Sequence, residues 1–399
     1  MNRNVVIYAG NFCVPDGNAA GKRVFANAYA LKKYGYEVIC FGFHFGQKGK
    51  ESRIIDGIES VSLKYVDGFS RVFNSYFLKE FKDMLEKHGG YQKVCAVILY
   101  SAMGTMRFNE KIISYCKERN IKTVFDFTDY YDNPDKNNLL KYFVKKADNY
   151  VLKERVLKKA DGVIAISSFG RLFCQNRKSI IVPPLSLQNT SREPEQLPNR
   201  ISFSFASVIT DINRPLNEWK DRIDVIIRAF YLLMMGGCNN FQIHFVGFDS
   251  EHFLRMLEPK LRNEYCQIIE ELGDHLHFHG KMNNSLAQMI VLNSHYTILI
   301  RQRMISTNVG FPSKVSEAIS LGVPIVSNIS SDIAYYIREG KNGFLIDDPD
   351  NIENIVKKLK EIISIPREKY KRMANALKDN NPFYFELYQN RLGDFIGSL

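Results

Sequence analysis

The segment spanning residues 296–328 constrains the fold more than any other. Tyr296 to Ile300 is an apolar run of strand length, and a second run, Val323 to Val326, begins at the break set by Gly322 and Pro324. Between them lie a loop ending Gly310-Phe311-Pro312-Ser313 and a helix predicted over residues 313–320. Strand, loop, helix and strand in that order make one unit of an open parallel sheet, which delivers its loop to the carboxyl edge where ligands bind. Free amides and the positive end of the helix dipole favour an anion beside Pro312 and Ser313, and Lys314 adds a full positive charge. Glu317 lies one turn further along the same face, placed to accept hydrogen bonds from a diol. Phosphate donors beside a diol acceptor fit a nucleoside diphosphate, its ribose hydroxyls on the carboxylate.

The rest of the chain repeats the alternation. Strands are predicted at residues 5–9, 38–41, 61–66, 94–100, 123–126, 162–166 and 179–182, with helices between most of them. A polar, proline-rich stretch from Pro183 to Pro198 reads as a linker. A second series follows, with strands at 201–206, 241–246, 275–279, 296–300, 324–327 and 344–346. The fold class is therefore α/β, with two doubly wound, Rossmann-like domains. The expected boundaries are 1–190 for an N-terminal acceptor-side domain, 191–382 for a nucleotide-binding domain, and 383–399 for a terminal helix.

Charge divides unevenly over this frame. Residues 1–190 hold 30 Lys and Arg against 18 Asp and Glu, whereas residues 191–399 hold 24 against 25. The whole excess behind the net +11 lies in the first half, which points to an anionic partner there. Seven cations against Asp148 and Glu154 in residues 137–159 suggest an anionic membrane surface. Phe69, Val72, Phe73, Tyr76, Phe77, Phe81, Met84 and Leu85 form an aromatic helix face suited to core or to anchoring. No run is long enough to span a bilayer, and the seven cysteines contain no C-x-x-C pair, so a cytoplasmic protein is expected, peripheral at most to the inner face of a membrane. His275, His277 and His279 alternate along one strand but read as an ordinary sheet edge. Asp126 and Asp129 do not make a metal signature, so no metal is assigned.

The block from Gly310 through Glu317 to Asn328, followed by Asp332 and by Gly340-Lys341-Asn342-Gly343-Phe344-Leu345, resembles glycosyltransferase family 4. The resemblance covers nearly the whole chain, but only this block is specific. It implies the two-domain GT-B fold, a retaining mechanism, and a C-terminal helix that crosses back to the first domain. It implies that Glu317 binds the donor ribose as the second acid of an E-x7-E motif, with Val309 standing where the first acid belongs. An Arg and a Lys ahead of the helix at residues 223–235 hold the donor pyrophosphate in that family. Ser207 occupies the Arg place here, so Arg214, Lys220 and Arg222 compete for the role, with Arg301 reaching from the loop above. The loop carrying Gly17, Asn18 and Arg23 matches the family's glycine-rich loop beside the donor and acceptor cleft. Asp129 is the candidate for its cleft-facing acid.

The resemblance implies transfer of a hexose-type sugar from a UDP- or GDP-sugar, without cofactor or metal. The implied acceptor is a glycan or polyprenyl-diphosphate-linked glycan of bacterial surface polysaccharide synthesis. The alternatives are a catalytically inactive nucleotide-sugar-binding partner, suggested by Val309, and a GT-B sugar-nucleotide epimerase. No motif supports a nucleic-acid partner.

Overall fold

The computed structural model describes residues 3–15, 17–43, 49–63, 75–100, 102, 104–130, 139–174, 178–188, 200–207 and 215–399. The chain divides into two compact units, one of residues 1–187, 308–311 and 384–399, the other of residues 188–307 and 312–383.

The first unit is built on β1 (Val5–Gly10), β2 (Glu37–Phe43), β3 (Glu51–Ile55), β4 (Ile58–Leu63), β5 (Val94–Tyr100), β6 (Lys122–Phe127), β7 (Gly162–Ala165) and β8 (Lys178–Ile181). They form one sheet in the order β3-β4-β2-β1-β5-β6-β7-β8, parallel except where β3 meets β4. Central strands are continuous apolar runs because both faces are covered. Val5, Ile7 and Ala9 enter one core with Phe41 and Leu99, while Val6 and Tyr8 enter the other with Cys40 and Ile98. The sequence reading missed β3, an exposed and polar edge strand. Its signal was present in the Asp56-Gly57 turn, where φ is 48° and 69°. That left-handed pair is the two-residue hairpin connection suited to sheet twist.

The aromatic face predicted over residues 69–85 is core wherever it is described. Helix Ser75–Lys87 buries Phe77, Phe81, Met84 and Leu85. Phe77 stacks on Phe43 with ring centroids 4.0 Å apart, and Phe81 meets Phe41 edge-on. Phe69, Val72 and Phe73 lie outside the described residues. The basic stretch is helix Leu139–Val151, a wider π-helical segment Leu152–Val156, and a last turn Leu157–Lys159.

The terminal helix Glu386–Gly397 belongs to the first unit. Leu392, Phe395 and Ile396 join the core that holds Val6 and Val24. Gly393 lies directly on Tyr34, and a Cβ there would come within 2.2 Å of the ring. The Tyr34 hydroxyl donates to Asp394 at 2.5 Å.

The second unit holds β9 (Ile201–Ala206), β10 (Phe241–Val246), β11 (Leu276–Phe278), β12 (Tyr296–Leu299), β13 (Ile325–Asn328) and β14 (Gly343–Ile346). All are parallel, in the order β11-β10-β9-β12-β13-β14. The chain winds outward to β10 on one side of β9 and returns to β12 on the other. A crevice opens at such a switch point, beyond the carboxyl ends of the two strands.

Candidate functional site

The segment after β12 and the segment before helix Ile223–Met235 meet in the second unit. Asp221 and Arg301 form an isolated antiparallel bridge, flanked by Arg222 N–H to the Ile300 carbonyl at 2.8 Å and Gln302 N–H to the Lys220 carbonyl at 2.9 Å. Asn328, at the end of β13, clamps Arg301 from the other side. Its Oδ1 accepts from the Arg301 N–H at 2.7 Å, and its Nδ2 donates to the Arg301 carbonyl at 3.0 Å. The Arg301 side chain is thereby aimed, with Nη1 donating to the Thr307 carbonyl at 3.2 Å and Nε to Asp221 at 3.3 Å.

Helix Ser313–Ser320 forms over the predicted residues, with Pro312 in the cap position. Lys314 points to the same carboxylate: Nζ donates to the second oxygen of Asp221 at 2.6 Å and lies 5.3 Å from the Phe205 ring centre. Burial acts to raise the Asp221 carboxyl, but the charges of Lys314 and Arg301 overcome it and hold the group below the usual carboxylate range. Ser313 and Glu317 are half-buried on this helix. Gly310 and Phe311 are buried and group with the first unit.

The competing cations now separate. Arg222 is committed to Asp224 through Nε at 2.9 Å and Nη2 at 2.7 Å, and its Nη1 donates to Gln302 at 3.0 Å. Lys220 is exposed, and its charge helps hold Asp221 ionised. Arg214 lies outside the described residues. Lys314, Arg301 and Lys220 thus surround one carboxylate, whose part the sequence reading missed. The only signal was an acid between two cations ahead of a helix.

In the first unit Gly17 and Asn18 are exposed, and Arg23 is buried. Asn18 caps helix Ala19–Tyr34, its Oδ1 accepting from Gly21 N–H at 2.7 Å. Gly17 donates to the Cys13 carbonyl at 3.1 Å, and a Cβ on it would meet Cys13 Sγ at 2.5 Å. Arg23, expected to border a cleft, is only 4% exposed. Its Nη2 donates to Asp126 at 2.6 Å, its Nε reaches both oxygens of that carboxylate, and its Nη1 donates to the Val182 carbonyl at 2.9 Å. Its burial corrects the ligand-facing assignment: its donors are committed within the unit. Tyr8 donates its hydroxyl to Asp126 and accepts from Asn27 at 3.2 Å. Burial first, and then the Asp126 carboxylate, push the Tyr8 phenol well above its ordinary range. Asp129, just beyond β6, is half-buried.

Val309, in the place of the first motif acid, is fully buried in the first unit's core. Its carbonyl accepts from Ser167 Oγ at 2.6 Å. The three strand histidines part company. His275 Nδ1 lies 2.9 Å from the Phe241 carbonyl, whereas His277 and His279 gather with His244, whose Nδ1 is 3.0 Å from His279 Nε2. Among the described residues, no group of three or more His, Cys, Asp or Glu is placed to hold a metal ion.

Residues 216–380 match the family model of glycosyl transferases group 1. The second unit carries a glycosyltransferase domain. The whole chain resembles solved structures over almost its full length. Sucrose-phosphate synthase from Thermosynechococcus elongatus superposes with a TM-score of 0.68 at 13% identity, covering 99% of each chain. A lipopolysaccharide outer core galactosyltransferase does so with a TM-score of 0.62 at 16% identity, again over 99% of each chain. An Anabaena protein solved with UDP and glucose gives 0.65 at 13% identity, over 99% of this chain and 100% of that one. Such identities speak for the fold, two Rossmann-like α/β domains of the GT-B type. No curated protein matches the sequence.

Proposed function

We propose that the enzyme is a retaining hexosyltransferase of family 4 type. It takes its sugar from a UDP- or GDP-sugar and delivers it to a glycan or polyprenyl-diphosphate-linked acceptor in bacterial surface polysaccharide synthesis. The observation that carries this reading is the convergence of Lys314, Arg301 and Lys220 about Asp221, with Glu317 one turn into the helix that supplies Lys314, inside the group 1 domain. Helix-end amides and these cations would stabilise the departing diphosphate. Glu317 would accept the ribose hydroxyls. The bond from the anomeric carbon to the diphosphate oxygen breaks as the acceptor oxygen bonds that carbon, and the acceptor proton passes to the leaving diphosphate. The charge is met by side chains, so turnover is expected to persist in EDTA. Complete loss restored by magnesium or manganese would contradict this. Nucleotide-sugar hydrolysis combined with thermal shift tests the donor class. Absence of both signals across UDP- and GDP-hexoses would overturn the reading.

Val309 favours a second reading, a nucleotide-sugar-binding partner without turnover, because a buried valine cannot contact the transferred sugar as a carboxylate would. Tight donor binding with no transfer to any lipid-linked acceptor would select it.

We also infer a seat at the inner face of an anionic membrane. No described helix is long and apolar enough to cross a bilayer. Helix Leu139–Val151 exposes Phe143 (62%) and Tyr150 (59%) with Lys146 on one face, while Asp148 turns inward to the Gly104 amide. This pair, rather than the buried stripe at 75–85, would supply the apolar contact. Glu110 offsets part of the basic stretch, since Arg155 and Lys159 both bind it. Sedimentation with anionic but not neutral vesicles, reduced by Lys146→Glu, is the expected result. Equal sedimentation with both would remove the membrane.

A further inference from the structure

Asp221 lies among the cations assigned above to the donor's phosphates, and its two oxygens have different partners. Oδ1 faces Arg301, and Oδ2 faces Lys314. The Arg301 contact is fixed by the main chain, because the two residues bridge each other and Asn328 holds the Arg301 backbone on the far side. Lys314 arrives from a different element on a flexible four-carbon stem. Exposure follows the same division, at 8% for the Arg301 side chain, 16% for Asp221 and 24% for Lys314. One contact is therefore permanent and the other exchangeable.

We propose that Asp221 is a resident counter-ion, which Lys314 leaves when it takes hold of the donor's diphosphate. This rests on the reading of the site as the donor-phosphate site. A nucleotide sugar carries about two negative charges on its diphosphate, and the released nucleoside diphosphate about three near neutral pH. Lys220, Arg301 and Lys314 less Asp221 leave two positive charges, which match the donor and fall short of the product. Asp221 thus weakens phosphate binding generally and product binding most, which favours release after transfer. The residue sets the occupancy and partner of Lys314 and touches no reacting atom, so it is a positioning residue.

The test is calorimetric titration of wild type, Asp221→Asn, Lys314→Gln and the double variant with inorganic pyrophosphate, UDP and GDP, with melting curves to verify folding. Asp221→Asn is near-isosteric and keeps the backbone bridge. It is expected to bind pyrophosphate and the preferred nucleoside diphosphate about tenfold tighter, with stronger product inhibition. The gain should be smaller in the double variant, because the part that comes from freeing Lys314 is lost. If Asp221→Asn binds these ligands no better, or more weakly, while Lys314→Gln weakens them, the donor site stands and the counter-ion role falls. If the wild type binds none of the three, both fall together.

Discussion

Asp126 and Asp221 each sit against an arginine, and they differ in how far solvent reaches them. Asp126 in the first unit is fully buried, and Arg23, Tyr8 and the Val182 carbonyl complete a closed set of hydrogen bonds around the pair. Asp221 in the second unit keeps a rim of exposure, and Lys314, the more exposed of the two cations bonded to it, reaches it on a flexible stem. A buried pair repays its desolvation only through good geometry and fully engaged donors, whereas removing one partner leaves a stranded charge. The first cluster locks helix Ala19–Tyr34 to its sheet. The second is the one proposed above to hold charge ready for a ligand. Similar chemistry becomes architecture or binding according to access.

The largest effect expected from this contrast is on folding. Arg23→Met strands Asp126 and should cost about 3–5 kcal/mol in a urea titration, with ligand affinity per folded molecule unchanged. A loss under about 1 kcal/mol would erase the distinction. The second unit should behave in the opposite way. Glu317→Ala should leave the urea midpoint nearly unmoved and cost about 1.5–3 kcal/mol of nucleotide affinity by calorimetry. Unchanged affinity would remove the ribose assignment.

Acidity sharpens the comparison through a cluster that lacks any carboxylate. Burial first, and then His277 and His279, push the His244 imidazole down to about 4, and His279 is lowered as well. Helix Asn284–Leu292, which packs on β9 and β10, brings no charged residue. The unfolded chain therefore binds more protons than the folded one between about pH 6.5 and 4. Stability from this cluster is complete above that window and is lost as pH falls through it. Urea midpoints at pH 7 and pH 5 should differ less in His244→Gln than in wild type, and an unchanged difference would remove the histidines as its source. The smallest effect belongs to the exposed Lys158–Glu154 pair, with side chains 58% and 45% exposed. Lys158→Ala should not measurably shift the midpoint, because solvent and salt screen such pairs.

What the sequence disclosed follows from how local each signal is. The strands at residues 94–100, 201–206 and 241–246 and the helices at 223–235 and 313–320 coincide with the observed elements, because apolar runs and breakers act over a few residues. The β3 hairpin escaped because its strand is polar and only Asp56-Gly57 announced it. The π-helical segment Leu152–Val156 escaped inside a stretch whose pattern reads as uninterrupted helix. Lys314, Arg301 and Glu317 could be nominated from their place beside the loop, but Asp221 could not. Its tie to Lys314 spans 93 positions, and that of Arg23 to Asp126 spans 103. Which cation finds which acid is decided by sheet order, and a net charge per half of the chain conceals it.

The seat of helix Glu386–Gly397 on Tyr34 and the apolar face beneath it also has a consequence in time. Leu392, Phe395 and Ile396 cover a face whose other members are made hundreds of residues earlier, with the second unit synthesised between. At ribosomal speeds of about 5–20 residues per second, the first unit waits on the order of 10–40 s for its cover. During that interval the nascent chain presents Val24, Leu31 and their neighbours to water or to a chaperone. The second unit, whose described strands all lie in one continuous stretch of synthesis, is free to finish first. Maturation of the two halves thus runs opposite to their order of synthesis, and protease resistance of stalled nascent chains should appear in the second unit before the first.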